Sequence, residues 1–366
     1  MDGGVAGAGG AGGDVGGVRR AGATTRPRER RAVVLMAYGA PRDLDDIEPF
    51  LLDVRGGRET PRALIEEVRG RYAAIGGRSP LVEITRAQAA ALEGALADDL
   101  SADWRVWVGM RHSAPRIADA VAEAVADGRR RLVALCLAPH YSRLSIGAYL
   151  DRFDDALGAA GGELEAVRVE SWHDHPGFVA AVAERVVAAL GRLAEPAAAE
   201  ALFTAHSLPA RILGEGDPYE RQLRESCALV AARVEAATGR PLAWTFAYQS
   251  AAHGARDWLG PSVGETIAER AAAGVRELVA VPIGFVSDHV EVLFDLDVEA
   301  GRAAEAAGVR LTRSESLDTS RAFVAALADL VREAAGQLAG ASRPAVPPER
   351  RDEEPAPGEA GEKSSS

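Results

Sequence analysis

Two short stretches of this chain hold residues whose types and spacing could do metal chemistry. In Leu202-Phe203-Thr204-Ala205-His206-Ser207-Leu208-Pro209 an apolar run stops on a histidine and is closed by a proline. This reads as a buried strand with an imidazole at its carboxyl end, where open α/β sheets place their ligand crevices. A neutral imidazole in that position can bind a metal or take a proton. The second stretch runs from Val281-Pro282-Ile283-Gly284 through Ser287-Asp288-His289-Val290-Glu291 to Asp295 and Glu299. Its three carboxylates recur at every fourth position, so on one helix each lies only about 40° further round than the last. Such a ladder beside His289 suits the inward passage of a hydrated divalent cation, and carboxylates with imidazole suit ferrous iron and similar ions. Plainer readings stand beside these. His206 could simply bond a neighbouring loop, the ladder could be a solvated acidic face, and Asp288 with Glu291 could be a capping box.

Both stretches need strands to aim them, and the hydrophobic pattern supplies candidates. β-rich runs at 32–38, 105–110, 132–138 and 165–171 alternate with amphipathic helical patterns. The rhythm repeats with strands at 201–205, 242–248, 277–283 and 309–313 and helices at 217–237, 263–273, 287–306 and 320–338. Strand, crossover helix and strand in this order implies parallel sheets covered on both faces. The halves also echo each other: Met36-Ala37-Tyr38-Gly39-Ala40-Pro41 opens the first as Thr204-Ala205-His206-Ser207-Leu208-Pro209 opens the second. The expected fold is therefore α/β, two similar Rossmann-like doubly wound lobes with parallel sheets. A cleft between them would be lined by Tyr38 from one side and His206 from the other. The expected division is a disordered arm at 1–31, an amino-terminal lobe at 32–171, a carboxyl-terminal lobe at 172–340 carrying His206 and Glu291, and a disordered tail at 341–366.

Bulk properties narrow the function classes. A chain of 366 residues has room for two domains, each able to bury a core. No apolar run is long enough to span a membrane, and the Gly- and Arg-rich start has no export signal, so the expected location is cytoplasmic. The net charge of −12 argues against nucleic acid as a partner, and an anionic ligand would need local arginines in a cleft. Cys136 and Cys227 are the only cysteines, too few for a disulfide framework or a four-cysteine cluster. No Gly-rich nucleotide fingerprint follows a strand.

With these residues laid out, the chain resembles the ferrochelatases, enzymes that insert ferrous iron into a porphyrin. The likeness covers about 32–335 and rests on six blocks in family order. They are Met36-Ala37-Tyr38-Gly39, Arg71-Tyr72-Ala73-Ala74-Ile75-Gly76-Gly77-Arg78-Ser79-Pro80-Leu81, Ala138-Pro139-His140-Tyr141-Ser142, Ala205-His206-Ser207-Leu208-Pro209, Trp258-Leu259-Gly260-Pro261 and the segment from Gly284 to Glu291. The resemblance implies a porphyrin in the cleft, His206 as the metal-binding and proton-accepting histidine, and Glu291 as the carboxylate that works with it. Asp295 and Glu299 would continue the metal path outwards. Ferrous iron must shed water while two pyrrole protons leave, which is work for an imidazole and for anions that compensate the metal.

Tyr38 resembles the tyrosine that coordinates iron in the coproporphyrin-using branch, and Arg55, Arg71, Tyr72, Ser79 and Tyr149 match porphyrin-contacting positions. Arginine can grip a propionate with two hydrogen bonds. Gly56 stands where that branch has a basic residue. His112 falls near the cleft without a catalytic role, and His140, His173, His175 and His253 have no carboxylate or cysteine partner at metal spacing. The resemblance thus implies insertion of Fe²⁺ into coproporphyrin III in heme biosynthesis. Protoporphyrin IX as substrate, another divalent metal, and a non-catalytic tetrapyrrole carrier are the alternatives. No permanently bound cofactor and no iron-sulfur cluster are expected, iron being a substrate. The implied partners are porphyrin, ferrous iron and an enzyme of the heme pathway that takes the product, with the chain itself a monomer.

Overall fold

The computed structural model describes residues 28–250 and 257–340. Eight strands form two four-stranded parallel sheets. In the first, β1 (Glu29–Ala37), β2 (Ala102–Met110), β3 (Arg131–Cys136) and β4 (Glu165–Val169) stand in the order β2-β1-β3-β4. In the second, β5 (Glu200–His206), β6 (Trp244–Gln249), β7 (Glu277–Val281) and β8 (Arg310–Arg313) stand in the order β6-β5-β7-β8. Each strand lies where the sequence pattern puts one. β1 starts earlier than the expected 32, because Glu29 is held between Arg31 and Arg131 and Arg131 reaches on to Glu165 at 2.9 Å.

Apolar runs such as Ala32–Met36 are wholly buried because helices cover both faces of each sheet. The largest apolar cluster is shared between the lobes. It joins Val33, Leu35, Val133 and Leu135 of the first sheet to Phe203, Val279 and Val281 of the second. The helices Pro176–Leu190 and Tyr219–Thr238 lie between them. The last helix, Arg321–Gly340, was expected to belong to the second lobe. It packs on the Pro176–Leu190 helix and also on the Leu81–Leu96 helix, β3 and β4, placing Phe323, Leu327 and Val331 in the shared core. Trp172, at the junction between lobes, meets Phe178 edge to face, lies tilted against Phe323 and donates its indole N–H to the Cys136 carbonyl at 3.1 Å.

The two lobes repeat each other down to single hydrogen bonds. The Met110 amide at the end of β2 donates to the Pro115 carbonyl at 2.7 Å, as the Tyr248 amide near the end of β6 donates to the Pro261 carbonyl at 2.8 Å. Arg130 donates to the Val125 and Arg129 carbonyls, as Arg276 donates to those of Ala271 and Val275. These shared details, with the identical strand order, support descent of both lobes from one duplicated unit.

One expected element is broken. The pattern at 287–306 predicts a single helix, whereas the chain forms an α-helical turn at Val290–Leu293, a π-helical segment at Asp295–Ala300 and a further α-helix at Gly301–Ala306. The Glu299 amide reaches back five residues to the Phe294 carbonyl at 2.9 Å, which widens the turn. A second π segment, Arg143–Gly147, follows β3 in the other lobe.

Candidate active site at the junction of the lobes

The carboxyl ends of both sheets' central strands point at one place. A cavity of about 300 Å³ is lined from the first lobe by Tyr38, Arg111, His112, Cys136 and Tyr149, and from the second by His206, Tyr219, Ser287, His289 and Glu291. A neighbouring cavity of about 200 Å³ is lined by Phe50, Arg71, Tyr72, Ser79, Ser250 and Asp295. Tyr38, His206, His289 and Glu291 border both, so they stand where the two spaces meet. Two glycines make this convergence possible. Gly39 has a φ of +93°, and a Cβ there would lie 2.5 Å from Ser113 Oγ, so the chain can turn away directly after Tyr38. Gly284 presses on β5: a Cβ would lie 2.7 Å from the Ala205 Cβ and 3.0 Å from its Cα. Only glycine lets the loop after β7 cross this close and bring His289 and Glu291 over His206.

His206 is the last residue of β5, and its Nδ1 bonds the Ser207 carbonyl. A carbonyl only accepts, so Nδ1 is protonated and Nε2 is the nitrogen whose lone pair the neutral ring would offer to a metal or a proton. The His206 backbone carbonyl receives the Tyr219 hydroxyl at 2.9 Å, which fixes the strand end. His289 Nε2 lies 3.0 Å from Glu291 Oε2. Burial works against both charges, but their attraction outweighs it: Glu291 is brought down to about 2, and His289 is raised above its ordinary value. The pair is thus an anion backed by an imidazolium that donates its other N–H to the Ser287 carbonyl at 2.9 Å. Asp288 takes no capping role, since its carboxylate receives Ser316 Oγ at 2.5 Å and Arg313 at 3.2 Å.

Asp295 is buried, and its carboxyl is pushed up to about 7. Burial is the main cause, repulsion from Glu291 and Glu299 adds to it, and the Ser250 hydroxyl and Arg71 oppose it. Glu299 is exposed and lines neither cavity. The expected ladder therefore grades from half-buried Glu291 through buried Asp295 to solvent, carried on a broken helix. The first two steps are no solvated face.

A protein-family model described as Ferrochelatase matches residues 30–335. The ferrochelatase of Deinococcus radiodurans is 38% identical over 309 residues, spanning 84% of this chain and 96% of the relative. The chain belongs to the ferrochelatase family. The ferrochelatase of Thermus thermophilus is 39% identical over 320 residues, 82% of this chain and 98% of the relative. A Geobacillus thermodenitrificans protein named coproporphyrin III ferrochelatase is 37% identical over 303 residues, 82% and 94% of the two chains. Among solved structures, SirB from Bacillus subtilis with Fe³⁺ has a TM-score of 0.53 at 13% identity and covers 85% of this chain and 98% of that one, a likeness of fold. Family membership and the two-lobed α/β chelatase fold both match the sequence reading.

Set in a ferrochelatase, the remaining candidates divide by position. Tyr38 packs on His112 at 4.6 Å between ring centroids and on Phe50 at 6.3 Å. Its phenol is pushed up to about 12, mainly by burial and then by Glu291. Tyr72 and Tyr149 are buried, and burial raises both phenols, so these two are neutral like Tyr38. Ser79 lines the smaller cavity, but its hydroxyl accepts the Leu81 amide at 3.3 Å and so also starts the next helix. Arg71 faces inward, 3.6 Å from Asp295 and 3.0 Å from Glu67. Arg55 caps the Ile47–Val54 helix and lines neither cavity, although its neighbour Val54 lines both.

His112 is buried against Asp53 at 2.7 Å, and burial holds it down to about 4 despite that partner. His140 bonds Ser226 at 2.9 Å, and His175 receives the Gly177 amide at 3.2 Å. His173 does have a carboxylate partner, Glu225 at 2.8 Å, which folding brings from 52 residues away. His253 lies outside the described residues. Sequence reading passed over Arg111, whose guanidinium lies over Tyr149 at 5.3 Å with a buried Nε that has no hydrogen-bond partner. It also passed over Gln249, which donates to the Glu291 carbonyl at 2.5 Å, and gave His289 no role. The His-x-Glu spacing was the available signal, since an extended His289 leads directly into the turn that carries Glu291.

Proposed function

We propose that this ferrochelatase inserts Fe²⁺ into coproporphyrin III, with His206 and Glu291 facing the incoming metal and Tyr38 on the opposite side of the macrocycle. The observation that carries the reading is the shared border: His206, Glu291 and Tyr38, drawn from two lobes, line the same pair of cavities. His206 offers Nε2 as acceptor for a pyrrole proton. Glu291 supplies negative charge for the arriving cation, and Asp295 and Glu299 mark a route from solvent. Tyr38 is a neutral phenol until a cation reaches its oxygen, and the metal's charge would then favour the phenolate. Four propionates need cationic anchors, and Arg111 is the cavity arginine with an unused donor. One of the relatives described above is named for coproporphyrin III, which favours that substrate. The enzyme is proposed to act as a cytoplasmic monomer without an iron-sulfur cluster, the buried Cys136 and Cys227 being packed thiols.

Anaerobic steady-state insertion with coproporphyrin III and protoporphyrin IX in parallel tests the reading. A clear preference in kcat/KM for the four-propionate substrate is expected. Preference for protoporphyrin IX would void the role given to Tyr38, and porphyrin binding without any insertion would instead support a carrier.

A further inference from the structure

Gln88 is fully buried on the Leu81–Leu96 helix of the first lobe, yet its side-chain nitrogen donates to two groups of the second. They are Ser287 Oγ and the Asp318 backbone carbonyl, each at 2.9 Å. The other half of the same amide, Oε1, is buried with no hydrogen-bond partner. That orphan acceptor costs stability, while the two donated bonds satisfy Ser287 Oγ and the Asp318 carbonyl. The use of the amide lies in what its two N–H groups hold.

They hold the segment that carries the metal-facing residues. Asp318 receives the Asp288 amide on its carboxylate at 3.2 Å and donates its own amide to the Val286 carbonyl at 2.9 Å, so Gln88 closes a clamp around residues 286–288. The Ser287 carbonyl accepts His289 Nδ1, and His289 Nε2 meets Glu291, each contact near 3 Å. At its other end the Gln88 helix begins with Leu81, which borders both cavities. We propose that Gln88 is a positioning residue for iron insertion. Through Ser287 and His289 it fixes the direction of the Glu291 carboxylate and registers it to the helix whose first residue faces the porphyrin. This rests on the role given to Glu291 above.

Gln88→Met keeps the side-chain length and removes both donors together with the orphan acceptor. Its urea midpoint is expected to fall modestly, because the Asp318 carbonyl and Ser287 Oγ lose their donor while the orphan acceptor is removed as well, and its coproporphyrin Kd, read by fluorescence, to stay unchanged. The insertion kcat should fall about 10- to 100-fold, the range seen when residues behind metal-facing groups are lost, with a higher KM for Fe²⁺. A residue that only filled space would not split the readouts this way. Ser287→Ala leaves the bond to Asp318 and should show a smaller change of the same kind. The double variant should be no worse than Gln88→Met, since both act along one path. If Gln88→Met does not fold, Ser287→Ala carries the test by the same measurements. Wild-type kcat and Fe²⁺ KM in the folded variants, with Glu291→Gln inactive, would overturn the proposal and leave the role of Glu291 standing. Full activity in Glu291→Gln would remove both.

Discussion

At the scale of single residues, the site separates groups by partner rather than by type. His206 and His289 border both cavities, but His206 bonds a backbone carbonyl while His289 is paired with the Glu291 carboxylate. His206→Ala should therefore leave porphyrin binding intact and lower insertion by about 100-fold or more, the usual contribution of a positioned acid-base group. Fluorescence titration together with turnover checks this, and undiminished turnover would refute the assignment. Asp295 makes a different prediction. Its carboxyl, pushed up to about 7 chiefly by burial, is neutral below that pH and charged above it. If the charged form passes the cation inwards, the KM for Fe²⁺ should climb as pH falls from about 8 to 6. Asp295→Asn should have a high KM that no longer changes over that interval.

At the scale of elements, the placement of Glu291 depends on a loop crossing and a helix irregularity. The loop after β7 reaches His206 because Gly284 sits against Ala205. Gly284→Ala forces a methyl group into backbone that cannot yield, so it should cost about 1–3 kcal/mol and lower insertion more than porphyrin binding. Gly264, inside the Val263–Ala272 helix, has nothing within 4 Å of a built Cβ. Gly264→Ala should be neutral or stabilise by up to about 1 kcal/mol. Comparing the two urea midpoints isolates close approach from glycine content; equal midpoints would contradict the crossing argument. The π-helical segment Asp295–Ala300 follows the turn that carries Glu291 and sets how the ladder turns towards solvent. Fourfold spacing gave no warning of it, since three carboxylates four apart fit an α-helix equally well.

At the scale of the whole molecule, the two lobes are not independent bodies. Their sheets share one apolar cluster, and the final helix packs on the Pro176–Leu190 helix and on elements of the first lobe alike. Unfolding should therefore be a single cooperative transition in which calorimetric and van't Hoff enthalpies agree. Two resolved transitions would show separate lobes. Sharing a core also suits a site assembled from both halves, because it holds Tyr38 and His206 to one separation.

Pattern along the chain sufficed for the strands seen among the described residues, for the repeat of two doubly wound units and for the positions of His206 at the end of β5 and Tyr38 just after β1. Each of these follows from local pattern: apolar runs of fixed period, a proline or glycine stop, and a polar residue at the stop. Tertiary structure decided what depends on approach through space. It chose His289 as the partner of Glu291, turned Arg71 towards Asp295, left Arg55 and Glu299 off the cavity walls, and brought Gln88 to Ser287 across 199 positions of chain. Burial then set the charges, since whether a carboxyl is an anion or an acid near neutral pH depends on the water and charges around it, which no spacing along a chain records.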